Sequence, residues 1–286
     1  MKNTNGEVLR KLFEQADEYG YAIPMFNYTD LWDLSAAIEA AKELHAPIMF
    51  ASIPKTVQAH GVHVLGAIGS AIMEEEDLPL IHHLDHSKSV EMCKSCIDAG
   101  YPSVMIDASA ESLEDNIAAT CAVVEYAHAR NVIVESEIGR IKGRDYEATY
   151  LGDDFLVQVP DAVKLVEETG VDALAVGIGT AHGFYEGKPE INFKRLAEVN
   201  EAVDIPLVLH GGTGIPEEDV RRAIRNGINK VNVGTQIRYT YMNEARKAID
   251  LKGPATHTVD ILTDVRELVK EEVRKWILVC MADGKA

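Results

Sequence analysis

The stretch Pro206-Leu-Val-Leu-His-Gly-Gly-Thr-Gly214, then Pro216–Asn226, then Ile228-Asn-Lys-Val-Asn-Val-Gly-Thr235 contains one complete structural unit. Each apolar run reads as a strand covered on both faces, because buried parallel strands lose the apolar–polar alternation of half-exposed ones. Pro216 at its start and Gly227 just past its end mark the middle segment as a helix. Working outward, the same strand–helix alternation recurs. Tyr21–Asn27, Pro47–Ser52, Pro79–His86, Ser103–Ser109, Val132–Gly139 and Ala173–Thr180 bring the strands to eight. Asp30–His45 and Glu111–Arg130 are further helices, the first opened by an Asp cap. Eight repeats predict an α/β fold, a (β/α)8 TIM barrel. A doubly wound open sheet is the alternative, but no Gly-rich dinucleotide loop follows the first strand.

The chain has 286 residues, a length that suits one barrel as well as two ordinary domains. No linker or shift in composition interrupts it, so residues 1–286 are expected to form one domain. The segment Ile138–Pro160 is longer than a usual strand–helix loop, and loops of that length tend to be functional. The tail Thr258–Ala286 adds a C-terminal helix with an apolar stripe of Val265, Leu268, Val269, Val273, Trp276 and Ile277, to pack on the barrel or on a neighbouring subunit. The net charge of -18 repels phosphate backbones and anionic lipid, so neither a nucleic-acid nor a membrane partner is expected. Four cysteines are too few for a disulfide framework. With an N-terminus that lacks an apolar targeting core, they point to the cytoplasm. Cys93 and Cys96 have redox-motif spacing but sit in a helical pattern with no second pair, which favours plain helix residues.

In such a barrel the strand C-termini point into the active-site mouth, and polar residues concentrate there. His86, His182 and His210 follow apolar strands at one level, and three converging neutral imidazoles suit Zn2+ or a related divalent ion with positions left for substrate. Taken singly, each is more often a hydrogen-bonded core histidine than a ligand; three at equivalent strand ends favour the metal. Asp85 is placed either to move a substrate proton or to orient a histidine. Asp107 and Glu137 can bind a second cation position or hydrogen-bond the ligands. His82 and His83 alternate in direction and are read as structural. The loops Gly211-Gly-Thr-Gly214 and Asn232-Val-Gly-Thr235 follow strands seven and eight, where barrels often build a phosphate site from backbone N–H groups and a helix N-terminus.

His83-Leu-Asp-His86, Ser103-Val-Met-Ile-Asp-Ala-Ser109, Gly179-Thr-Ala-His-Gly183, Pro206-Leu-Val-Leu-His-Gly211 and Lys230-Val-Asn-Val233, in that order and spacing, resemble the class II, metal-dependent ketose-bisphosphate aldolases. The likeness is greatest to the tagatose-bisphosphate branch and runs from Tyr21 to the end. It implies reversible aldol cleavage of a ketose phosphate to dihydroxyacetone phosphate and an aldehyde, with one catalytic Zn2+ held by His86, His182 and His210. It implies that Asp85 exchanges a proton with the C4 hydroxyl. Gly183, Gly211, Gly212, Thr213, Asn232, Val233, Gly234 and Thr235 match the dihydroxyacetone-phosphate site. Asp107 and Glu137 match an alternative or second cation position, divalent or monovalent. A homodimer or homotetramer is also implied.

Departures from the family pattern bear on substrate. Gly139-Arg-Ile-Lys-Gly-Arg-Asp-Tyr-Glu147 puts Asp145 where the family has a longer acid that moves the carbon-bound proton. Arg140, Lys142 and Arg144 make this loop basic, either as solvated charges or to greet an anion at the far end of the sugar. Gly234 stands where fructose-bisphosphate enzymes carry Asp and tagatose-type enzymes a small residue. That weighs against a strict fructose-bisphosphate aldolase; substrates of tagatose- or fructose-1,6-bisphosphate type are expected from the resemblance, with another anionic ketose 1-phosphate as the alternative. Three rivals stand beside this reading: a metal-dependent hydrolase, a Schiff-base aldolase using Lys230, and a non-catalytic assembly protein. Two residues before Asn232, Lys230 is expected to face the barrel floor.

Overall fold

The computed structural model describes residues 6–141, 155–185 and 187–286. Eight strands close into a barrel in chain order: β1 Ile23–Asn27, β2 Ile48–Ser52, β3 Leu80–Ser87, β4 Ser103–Ile106, β5 Ile133–Ile138, β6 Ala173–Val176, β7 Leu207–Leu209 and β8 Ile228–Val233. Every neighbouring pair is parallel, and β1 closes the ring on β8 through Ile23–Lys230 and Met25–Asn232. All eight expected strands are present, and most end a few residues earlier than the apolar runs suggested. The chain leaves the sheet once its side chains turn to the mouth, where there is no further strand to pair with.

Of the described strand residues, only Asn27 and His86 are less than fully buried. Both lie at the mouth. The rest fill either the barrel interior or the layer beneath the helices, as an all-parallel sheet requires. Burying a Val, Leu or Ile side chain contributes about 1.5–3 kcal/mol, so this shell dominates folding.

Helix α1 is Gly6–Tyr19 and precedes β1. It was not legible in the strand–helix alternation. Leu9, Leu12, Phe13 and Ala16 are buried, and Arg10 bonds Asn131 and Asp172 at the N-terminal ends of β5 and β6. The helix therefore seals the end of the barrel opposite the mouth. Next come α2 Leu31–Leu44, α3 Pro54–His60, α4 Val62–Glu75, α5 Val90–Asp98, α6 Leu113–His128, α7 Val159–Thr169, α8 Phe193–Ala202, α9 Glu217–Arg225, α10 Thr235–Lys252 and α11 Thr258–Val279. The Asp30 side chain caps α2 in a reciprocal pair with Asp33, satisfying N–H groups the helix start leaves open.

The added C-terminal helix α11 packs on α2 and α10 of the same chain. Val265, Val269, Val273, Trp276 and Ile277 are buried as the stripe predicts, joined by Ile261 and Val279. Leu268 departs from it and is 48% exposed, because its position on the helix turns it from the α2 face. Cys93 and Cys96 are buried in α5, and burial pushes both thiols up to about 12, far from the reactive range. Among the described residues no helix is long and apolar enough to cross a membrane.

Candidate metal centre and active site

Along β3, side chains alternate in direction. His82 turns outward, stacked on Tyr101 and Phe50, with Tyr28 at 2.9 Å from its Nε2. His83 turns inward and meets Ser103 at 2.8 Å. Both are fully buried, and burial first of all lowers their pKa values, His82 to about 3. They are neutral core residues, as the sequence reading has them.

Strict alternation would then send Asp85 into the mouth and His86 away from it. Instead, His86 takes a left-handed conformation, φ 51°, and the β3–β4 register shifts between Leu84 and Ser87. That conformation costs a non-glycine residue about 1–2 kcal/mol. It brings two consecutive side chains, Asp85 and His86, to the same site.

His86, His182 and His210 each offer a ring nitrogen within 4.8 Å of the others. His86 comes from the end of β3, His210 from the residue after β7, and His182 from the loop after β6. The Nε2 of His86 and the Nδ1 of His210 lie 2.7 Å apart. Their opposite nitrogens are tied to carboxylates: His86 Nδ1 to Asp107 at 3.0 Å, and His210 Nε2 to Glu135 at 2.8 Å. An imidazole anchored by a carboxylate on one nitrogen presents the other as a ligand, the usual outer arrangement of a histidine metal site. Burial lowers the pKa of His182 to about 4 and holds that of His210 well below the usual imidazole range, so both are neutral donors. For His86 burial also acts downward, but Asp85, Asp107 and Glu137 outweigh it and raise the value to about 10. A pocket that favours a cationic imidazole among three carboxylates has the negative potential a divalent cation requires. The donor set fits such an ion.

Asp107 also accepts from Ser109 N and Oγ. With Glu137 and His86 it forms a second group of converging ligand atoms. Asp107 thus bonds His86 and also belongs to a second group of side chains that could hold a metal ion.

Asp85 is 3% exposed and its carboxylate is gripped from two sides, by Asn27 Nδ2 at 2.8 Å and Asn232 Nδ2 at 3.1 Å. Burial would raise its pKa, yet His86, His210, Lys230 and the Asn27 bond together hold it below the usual carboxylate range. It is thus a fixed, ionised acceptor about 4.0 Å from His86 Nε2.

The glycine-rich loops flank this centre. Gly211 sits at φ 68°, and a Cβ there would lie 2.4 Å from the carbonyl of Ala181, so only glycine allows this approach. Tyr185 clasps the two loops, accepting from Ala181 N at 2.8 Å and donating to Gly211 O at 3.1 Å. Thr213 Oγ1 accepts from Gln236 N at 3.0 Å and ties the β7 loop to the start of α10. Gly183 lies beside His182 in the β6 loop, and Gly212 follows Gly211. Asn232 and Val233 end β8, Gly234 caps α10, and Thr235 begins it. All the expected phosphate-site residues are therefore at the mouth, though Val233 buries its side chain and offers only its backbone.

Gly234 has a specific neighbour. A Cβ at 234 would fall 2.3 Å from Asn27 Oδ1, the end of a movable side chain. Gly234→Ala is therefore expected to fold normally but to push Asn27 off Asp85. Because small misplacements at a reacting centre are costly, kcat/KM should fall about 10- to 100-fold with little change in Tm. Unchanged kinetics would show that Asn27 does not hold Asp85 for turnover.

Asn27, Glu135 and Lys230 carry more of the site than their sequence positions suggested. Asn27 is a polar residue ending an apolar strand, the same signal that picked out the histidines. Glu135 and Lys230 are opposite charges inside buried strands, a pattern that calls for a pair. Lys230 does lie in the interior, 2.6 Å from Glu135. Arg140 turns back toward the β4 loop, where its guanidinium donates to the carbonyls of Ser109 and Ala110. Lys142, Arg144 and Asp145 lie outside the described residues.

The profile of the class-II fructose-bisphosphate aldolases matches residues 7–285. A Bacillus licheniformis protein named 6-phospho-5-dehydro-2-deoxy-D-gluconate aldolase is 38% identical over 275 residues, 94% of each chain. The solved YdjI aldolase of Escherichia coli K12 superposes with a TM-score of 0.85 at 30% identity, over 97% of this chain and 98% of that one. A fructose-bisphosphate aldolase from Campylobacter jejuni, at 20% identity and TM-score 0.83 over 99% of this chain and 96% of that one, shares the fold. Coverage of this extent, with the motifs in place along the whole barrel, makes the chain a member of the class II fructose-bisphosphate aldolase family and an aldolase of the lyase class.

Proposed function

We propose that the protein catalyses reversible, zinc-dependent aldol cleavage of a ketose (bis)phosphate to dihydroxyacetone phosphate and an aldehyde. The observation that carries this reading is the meeting of three imidazoles, two of them braced by carboxylates, beside an ionised aspartate held by two amides. His86, His182 and His210 would hold the ion, with Asp107 and Glu137 at a second cation position. Bound there, a divalent ion supplies Lewis acidity to a ketone carbonyl. Asp85 accepts the proton of the C4 hydroxyl as the C3–C4 bond breaks and the C4 carbonyl forms, and returns it in condensation. Asn27 and Asn232 keep its oxygens aimed. The proton that C3 then gains is assigned by family likeness to Asp145.

Backbone N–H groups of Gly183, Gly211 and the Asn232–Thr235 stretch, with the Thr213 hydroxyl, are the phosphate donors, while Gly212 spends its own N–H on the Asn232 carbonyl and shapes the loop. Local donors and a helix start can hold a small anion despite the overall charge. The free cysteines fit a reducing cytoplasm. A dimer or tetramer remains part of the proposal on family likeness and on the exposed Tyr239, Met242, Ile249 and Leu251 of α10, because the α11 stripe is spent within the chain.

The relative named for 6-phospho-5-dehydro-2-deoxy-D-gluconate favours a second reading of the substrate. That name describes a ketone next to a phosphorylated carbon, with a carboxylate at the far end. Such a substrate keeps the three-carbon phosphorylated half and changes the distal half, where a methylene and a carboxylate replace a hydroxyl-bearing carbon and a phosphorylated one. The test is a panel of fructose and tagatose 1,6-bisphosphates, ketose 1-phosphates and 6-phospho-5-dehydro-2-deoxy-D-gluconate, with triose-phosphate release coupled to an indicator enzyme. One substrate is expected to lead the others by about tenfold or more in kcat/KM. Release of dihydroxyacetone phosphate from none of them would overturn the proposal.

A further inference from the structure

The barrel interior holds an ion pair that bonds to neither Asp85 nor the phosphate loops. Lys230 on β8 and Glu135 on β5 meet at 2.6 Å, although β5 and β8 are not neighbours in the ring. The contact crosses the interior. Both residues are almost wholly buried, Lys230 at 0% and Glu135 at 2% exposure. A buried pair of this kind gives little net stability, because desolvating two charges costs about what their attraction returns, and apolar residues of similar volume often serve as well. The two oxygens of Glu135 are divided between different partners. Oε2 takes the Lys230 ammonium, and Oε1 meets His210 Nε2 at 2.8 Å. A carboxylate only accepts, so Nε2 must carry the hydrogen, and Nδ1, facing His86, is left with its lone pair.

We propose that Lys230 is a positioning residue for the metal centre: it pins the Glu135 carboxylate across the barrel, and Glu135 holds His210 in the orientation and tautomer that turn Nδ1 to the ion. The inference rests on the metal-centre reading above. It gives the lysine a role distinct from Schiff-base formation, since it acts through Glu135 and His210 and touches no substrate.

The experiment titrates metal-free protein with Co2+, which accepts imidazole ligands as zinc does and reports its coordination by visible absorption. Wild type is compared with Lys230→Met and with Lys230→Met/Glu135→Leu. Both variants are expected to bind Co2+ about 10- to 100-fold more weakly, with an altered visible band. They should agree within about threefold, because residues acting in one chain are not additive. If Lys230→Met fails to fold with Glu135 left unpaired, the double variant, in which that ion pair is replaced by two apolar side chains, carries the test. Wild-type affinity and spectrum in either folded variant would overturn the proposal and leave the pair purely structural. Failure of wild type itself to bind Co2+ would overturn the metal-centre reading and this inference with it.

Discussion

Chelating divalent metal from the protein is expected to lower turnover by about 10³-fold or more, and Zn2+ to restore it. Breaking a carbon–carbon bond next to a ketone leaves an electron pair that must be drawn toward the carbonyl oxygen. Among the described residues at the mouth, the group best placed to hold a positive centre for that oxygen is the cluster of His86, His182 and His210. Lewis-acid stabilisation is worth several kcal/mol, and about 4 kcal/mol corresponds to 10³ in rate. His86→Ala should reproduce the loss and bind less metal, since it removes a ligand together with the anchor provided by Asp107. Its folding should be little affected, because alanine meets the same left-handed backbone cost at φ 51° that His86 does. The opposite result is also specific: full activity in metal-free protein, with substrate trapped on the chain by borohydride, would replace this chemistry with a Schiff base.

Asp85→Ala is expected to slow cleavage by about 10²- to 10⁴-fold while leaving bound metal unchanged, the range for loss of a positioned acid–base group. The carboxylate is 4.0 Å from His86 Nε2 and is held by amides, so the imidazoles retain their own anchors in its absence. Asp85→Asn is the sharper variant. It keeps the shape but cannot take up the hydroxyl proton, so kcat should fall nearly as far with little change in KM. A rise in KM alone, with kcat intact, would make Asp85 a binding residue. Loss of metal in Asp85→Asn would instead favour the reading in which it orients a histidine.

Much of this was legible in the chain itself, for definite reasons. Buried parallel strands must be apolar on both faces, so eight such runs, each followed by a helical segment, specify a barrel. Polar residues at the ends of those runs have nowhere to go but the mouth, which is why the histidines, Asp85 and the glycine loops were visible. Asp30 and Pro216 marked helix starts because capping chemistry is local.

What the sequence could not decide depends on contacts between distant segments. Period-two alternation sends Asp85 and His86 to opposite faces, and only the register shift against β4 and the left-handed turn at His86 bring both to one centre. Glu135 and Lys230 are each anomalous in an apolar strand, but their pairing across the barrel, and through it the aim of His210, exists only once the ring has closed. The same holds for α1, whose charged sequence hides a sealing face defined by the ends of β5 and β6. Local rules thus set which residues reach the mouth, while long-range packing sets which atom of each one faces the others.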